Sequence, residues 1–193
     1  MKHHWIVCDD VDPQSPVTGA AVIRPNWRWQ PGMNTQAQSM ALLLSMVPDG
    51  ASVVICEDDD VYLPDHLQTM AEALKTHELV GQRVSLYYNI KTRKHRELPG
   101  TYHASLGATA LRGSALKLLQ DVCARQPKCL DMELWREFTG SKKLLETRTA
   151  IGVKGMTGRD GIGVGHREEF GDPDPSGQVL RSWIGEHAEK YLS

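Results

Sequence analysis

No apolar run in the 193 residues approaches the roughly 20 that a bilayer-crossing helix needs. The opening residues Met1-Lys2-His3-His4-Trp5 lack the longer hydrophobic stretch of a secretory signal, so a cytoplasmic protein without membrane association is expected. An excess of either charge is missing too. The 22 basic and 24 acidic residues leave a formal net charge of −2, and nothing in that balance favours nucleic acid or an anionic surface as partner. No internal repeat or low-complexity tract divides the chain, and 40% hydrophobic content suffices for one domain with a sizeable core. Cysteine is sparse. Cys8 and Cys56 lie inside apolar, strand-like runs and read as small buried hydrophobes, while Cys123 and Cys129 miss the usual zinc-ligand spacing. All four are expected to be reduced and structural.

What the chain does have is an apolar strand that runs straight into four acids, Val53-Val54-Ile55-Cys56-Glu57-Asp58-Asp59-Asp60. Carboxylates crowded at the mouth of a buried strand repel one another and lose hydration, and a divalent cation is the natural compensation. Hard oxygen ligands suit magnesium or manganese. The competing reading is a solvated acidic turn. Against it, Pro64 stands where a helix could begin and Leu67, Met70, Ala71 and Leu74 recur at helical spacing, which places the acids on a strand-to-helix connection. In open α/β sheets such connections, at the carboxyl ends of strands, are where ligands bind.

The rest of the chain reads as an α/β alternation. Strands are expected at His4–Cys8 and Ala20–Ile23, then a helix capped by Asn34 with Ala37, Met40, Ala41 and Leu44 on one face. A strand follows at Val84–Ile90, then a basic turn from Lys91 to Arg96 and an alternating stretch from Leu106 to Leu111. Helices are expected near Ser114, with Ala115, Leu118, Leu119 and Val122 facing one way, and over Asp131–Phe138. A strand over Leu144–Val153 and a terminal helix marked by Leu180, Trp183, Ile184 and His187 complete the order. The expected fold is a single α/β domain over residues 1–193, a mostly parallel sheet flanked by helices.

With strand, acids, Pro64 and helix in this order, the segment resembles the metal-binding motif of GT-A glycosyltransferases, especially the inverting family 2. There an apolar strand leads into Asp-x-Asp-Asp, then three residues and Pro. Glu57 and Asp59 fall on the first and third motif positions and Asp60 follows, although Asp58 and Asp60 also form a literal Asp-x-Asp. Trp5-Ile6-Val7-Cys8-Asp9-Asp10 is similar to the family's second strand, whose terminal Asp contacts the nucleoside base. Leu130-Asp131-Met132-Glu133-Leu134-Trp135 resembles Glu-Asp-x-Asp-Leu-Trp at the start of the acceptor-side helix, with Leu130 in place of the family's Glu. The segment from Lys154 to Arg167, with glycines at 158, 161, 163 and 165, is similar to the late loop whose His completes the metal site. The combination is similar to small glycosyltransferase-like proteins of phages and prophages.

The resemblance implies a GT-A, Rossmann-like fold, with a nucleotide-sugar and metal half over 1–80 and an acceptor half with the late metal-binding loop over 81–193. It implies a divalent cation, Mn or Mg, held by Asp59, Asp60 and His166. Asp9, Asp10, Glu57, Asp58, Arg159 and Arg167 would bind the nucleotide of a nucleoside-diphosphate sugar, a UDP-sugar before others. Asp131 would be the catalytic base of a single, inverting displacement. Tyr87, Tyr88, Asn89, His103 and Trp135 are candidates for the acceptor side, where aromatic faces stack on rings. The acceptor is unknown; modified phage DNA bases are one option, with Lys91, Arg93, Lys94, His95 and Arg96 as phosphate contacts, although a solvated hairpin tip explains those residues as well. Asp131 can also be read as a helix cap, and the late loop as a glycine-rich surface loop.

Family members carry a further strand and helix ahead of the segment at which this chain starts, about 35 residues by the usual length of a βα unit. An N-terminally shortened domain with an exposed sheet edge is therefore expected, which favours a homodimer or reduced activity. Two other functions stay open: a catalytically silent nucleotide- or sugar-binding homologue, and a metal-dependent phosphoesterase, which usually needs acids from more than one segment.

Overall fold

A computed structural model describes residues 3–10, 18–30, 33–157, 163–167 and 169–192. The chain is α/β, but its strands form three separate sheets among the described residues. Trp5–Cys8 (β1) and Ala20–Ile23 (β2) make a parallel pair. Ser52–Val54 (β3), Thr109–Arg112 (β8), Leu79–Gln82 (β5) and Lys142–Leu145 (β9) lie side by side in that order as a second sheet. The third runs Asp172–Pro173 (β11), Lys94–Pro99 (β7), Val84–Asn89 (β6), Ala150–Lys154 (β10) and Val61–Tyr62 (β4).

The expectation of a mostly parallel sheet does not hold. Among the described residues only β1 with β2, β5 with β9 and β6 with β10 are parallel; the other pairings are antiparallel. Two local features account for three of the five antiparallel pairings. A tight turn after Ile90, with Arg93 in the left-handed region at φ 51°, folds β7 back on β6, and β8 inserts against the direction of both β3 and β5. Such reversals need no crossover helix.

The four-stranded sheet is covered on both faces, and its side chains divide by alternation. Leu79 and Leu111 point into the larger core, with Ala37, Met40 and Leu44 of helix α1 (Gln36–Leu44), Leu119 and Val122 of α3 (Gly113–Arg125) and Leu134 and Trp135 of α4 (Leu130–Glu137). Val80 and Ala110, the next residues along, point to the other face, where Met70 of α2 (His66–Ala73) and Leu74 pack. Ala41, expected on the core face of α1, is exposed.

A second core lies under the five-stranded sheet. Leu86, Tyr88, Ile151 and Val153 pack there on Leu180 and Ile184 of α5 (Gln178–Ile184). The expected single terminal helix breaks at Gly185 into a 3-10 turn, Gly185–Ala188, and a last helix α6 (Glu189–Leu192), which leaves His187 exposed.

The expected strand over Leu144–Val153 is two strands in two sheets, β9 and β10. The divide is fixed by Gln82, a fully buried side chain whose Nε2 donates to Val84 O (2.7 Å) and Ala150 O (2.9 Å). Its Oε1 accepts the N–H groups of Thr149 (2.7 Å) and Ala150 (3.0 Å). The carboxamide thus satisfies the backbone groups freed where the chain leaves one sheet for the next. Among the chain's crossings between these two sheets are residue 83, residues 146–149 and residues 55–60, the last being the acidic segment.

Candidate functional site

The site begins at the open end of β3. Ile55 is still tied to the sheet through its N–H to Thr109 O (3.0 Å), and the chain then turns, with Asp60 N–H donating to Glu57 O (3.3 Å), before β4 joins the other sheet. The Glu57 N–H donates to Tyr62 Oη at 2.8 Å. These bonds bend four acids back on themselves. Carboxylate oxygens of Glu57, Asp59 and Asp60 lie within 4.8 Å of one another, whereas Asp58 is exposed at the tip. Gly107, in the 3-10 turn Leu106–Ala108, closes over the cluster: a Cβ there would lie 3.1 Å from Asp60 Oδ2 and 3.0 Å from Tyr62 Oη.

A cation does face the cluster, and it belongs to the chain. Lys154, the last residue of β10, is 7% exposed. Its Nζ donates to Asp60 Oδ1 (2.7 Å) and Asp59 Oδ2 (2.9 Å) and lies 3.6 Å from Glu57 Oε2. Burial alone would lower the Lys154 pKa, but Asp60, Glu57 and Asp59 together raise it above the ordinary lysine range. Burial pushes the Asp60 carboxyl well up and the Glu57 carboxyl up, against the pull of Lys154. One ammonium therefore offsets the cluster incompletely. The sequence assigns no role to Lys154, because a lysine closing an apolar run such as Ala150–Val153 at a strand end is ordinarily exposed.

Helix α1 joins this cluster to the end of β1. Thr35 Oγ1 and Ser39 Oγ donate to Asp10 Oδ2 (2.7 and 3.3 Å), and Gln36 Nε2 donates to Glu57 Oε1 (3.0 Å). Asp9 is buried. Arg24 Nε lies 3.6 Å from its Oδ2, an ion pair beyond hydrogen-bonding reach, so this oxygen lacks a hydrogen-bond donor among the described residues.

Asp131 stands in the first turn of α4, with Cys129 rather than Asp131 in the capping position, and its Oδ1 accepts its neighbour's N–H from Met132 at 2.8 Å. It lies close enough to the cluster that its charge raises the Glu57 and Tyr87 pKa values. Burial raises the Asp131 pKa itself, opposed by the Met132 N–H and by His103.

The late loop reaches the same place. Asn89 Nδ2 donates to Gly165 O at 2.9 Å, and a Cβ on Gly165 would lie 3.1 Å from Lys154 Cγ and 3.3 Å from Tyr87 Cδ1. His166 follows in the 3-10 turn Val164–His166, outside the three-carboxylate group. Arg159 lies outside the described residues. Arg167 lines a groove of about 220 Å³ with Arg96, Leu98, Glu169 and Phe170, in which the Arg96 guanidinium stands 5.8 Å over the Phe170 ring. Phe170 meets Tyr87 edge to face, with ring centroids 6.0 Å apart.

The acceptor-side candidates divide. Tyr87 and His103 border the site, whereas Tyr88, Asn89 and Trp135 hold the fold. Tyr88 is buried with its Oη donating to Asp174 Oδ2 (3.2 Å), Asn89 Oδ1 accepts the Lys91 and Thr92 N–H groups, and Trp135 lies in the larger core with Nε1 donating to Thr109 Oγ1 (3.3 Å).

As hard oxygen donors gathered within 4.8 Å, Glu57, Asp59 and Asp60 fit a magnesium or manganese ion in chemistry. All four cysteines are free, and burial pushes the Cys56 thiol up to about 12. None of the described helices is long and apolar enough to cross a membrane. Comparison of the chain with protein-family models, with curated proteins and with solved structures gives no match.

Proposed function

We propose that the chain is a GT-A-type glycosyltransferase that moves a sugar from a nucleoside-diphosphate donor, with a UDP-sugar the first to test, onto an acceptor hydroxyl with inversion. What supports this reading is that Asp131, from the start of α4, lies near enough to Glu57 for its charge to act on that carboxyl, one of the three that gather after β3. A proton acceptor beside a cation-binding set is what displacement of a diphosphate requires.

In this reading the acceptor oxygen attacks the anomeric carbon, the bond to the diphosphate breaks with its electron pair on the leaving group, and Asp131 takes the acceptor proton. Burial raises the Asp131 pKa, which makes it a better proton acceptor than an exposed carboxylate. Manganese or magnesium, when bound at Glu57, Asp59 and Asp60, with His166 from the neighbouring loop, supplies positive charge for the departing diphosphate. Asp9, with a buried oxygen that lacks a hydrogen-bond donor, is suited to accept from a base N–H. Asp10 is spent on Thr35 and Ser39 and positions α1 instead. Tyr87 and His103 border the acceptor side.

A second reading, a silent binding homologue, is favoured by Lys154, which partly neutralises the cluster without any added ion. A thermal-shift panel of nucleoside diphosphates, with and without manganese, followed by a sugar-transfer assay, tests both. Metal-dependent stabilisation with turnover supports the transferase, stabilisation without turnover supports the silent homologue, and no stabilisation by any nucleotide sinks both.

A further inference from the structure

A divalent ion and the Lys154 ammonium call on the same three carboxylates. Lys154 Nζ sits 2.7 Å from Asp60 Oδ1, 2.9 Å from Asp59 Oδ2 and 3.6 Å from Glu57 Oε2, and the gathered carboxylate oxygens span no more than 4.8 Å. Magnesium-type ions bind oxygen at about 2.0–2.1 Å, so an ion held on Asp60 Oδ1 would stand less than about 5 Å from the ammonium nitrogen. Two cations at that distance in a site largely closed to water repel strongly.

We infer that Lys154 and a divalent cation are mutually exclusive occupants of the carboxylate cluster, and that an ion enters only as Lys154 withdraws. The inference rests on the cation centre proposed above and adds the residue that regulates it. Formal charge explains why the exchange is favourable in the presence of the ion. Three carboxylates and one ammonium leave −2 in the cluster, whereas three carboxylates and a divalent ion leave −1, and the freed ammonium then lies beside that remaining charge. The diphosphate of a donor is repelled by the lysine-closed cluster and tolerated by the ion-filled one. The lysine stem lies against Gly165, so its withdrawal also disturbs the loop that carries His166.

The test is manganese binding, by calorimetry and by the electron-spin signal of the free ion, at one pH for the wild-type chain, Lys154→Met, Lys154→Arg and Lys154→Met combined with Asp59→Asn. Lys154→Met is expected to bind manganese at least tenfold more tightly than wild type, and Lys154→Arg no more tightly than wild type. The added Asp59→Asn change should abolish the gain. Equal affinity of wild type and Lys154→Met overturns the inference but leaves the cation centre standing; absence of binding by both removes the centre and the inference together. Should Lys154→Met fail to fold, the wild-type chain supplies a second readout. Acetylation of Lys154, followed by mass spectrometry, is expected to accelerate severalfold at saturating manganese, and an unchanged rate with the ion bound overturns the inference.

Discussion

The hydroxyl of Tyr62 and the backbone N–H of Glu57 meet at 2.8 Å, and this bond folds the acidic turn against the strand that follows it. Tyr62→Phe keeps the ring and leaves the N–H without its acceptor. A loss of about 1–2 kcal/mol is expected in urea unfolding, with the denaturant slope unchanged.

Gln82 closes four backbone hydrogen bonds at the seam between two sheets. Gln82→Leu fills similar space but strands the Thr149 and Ala150 N–H groups. The expected cost is on the order of 3 kcal/mol or more, read as a lowered melting temperature.

Much of this seam was illegible in the sequence. The helical spacing of Met70 and Leu74, and the run from Val53 into the acids, identified α2 and the site turn because both signals are local. β4 is only Val61 and Tyr62, too short to register between Asp60 and Pro64. β9 and β10 read as one strand because no glycine or proline separates Leu145 from Ala150; their assignment to different sheets depends on Gln82, distant in sequence. A fixed left-handed turn near Arg93 likewise gave no warning that half the basic stretch would be strand β7. Within the site, Glu57, Asp59 and Asp60 stood out as a run. Lys154 did not, because only tertiary packing buries a strand-end lysine. A role for Asp131 beside Glu57 was implied by family resemblance, not by spacing.

His66 provides a pH signature away from the acids. It is fully buried, its Nδ1 is 2.8 Å from Thr149 Oγ1, its ring centroid is 4.9 Å from that of Tyr62, and burial lowers its pKa from 6.5 to about 4 despite Asp65. Between these values the unfolded chain binds the proton and the folded chain does not, so stability rises with pH from about 4 to 6.5 and is lost on acidification. The full span corresponds to about 3 kcal/mol. Urea midpoints of wild type and His66→Gln at pH 4.5 and 7 should differ in slope, with the variant flatter.

Asp131→Asn keeps the shape of the carboxyl and removes its basicity. A fall of about 10²–10⁴ in sugar transfer is expected, with the manganese-dependent thermal shift by nucleotide retained. Loss of the thermal shift as well would assign Asp131 to binding rather than proton transfer.

Lys154 ends β10, and the carboxylates it holds lie on the connection that leaves β3 of one sheet and enters β4 beside β10 in the other. The same ammonium that balances charge is therefore a latch across two layers, four residues beyond the point where Gln82 stitches them at Ala150. Removing the latch leaves the stitch. Amide exchange in a Lys154 variant should accelerate first at residues 56–60 and at the far end of β10, while β5 and β9 keep their protection, so that the molecule parts along a line its own site defines.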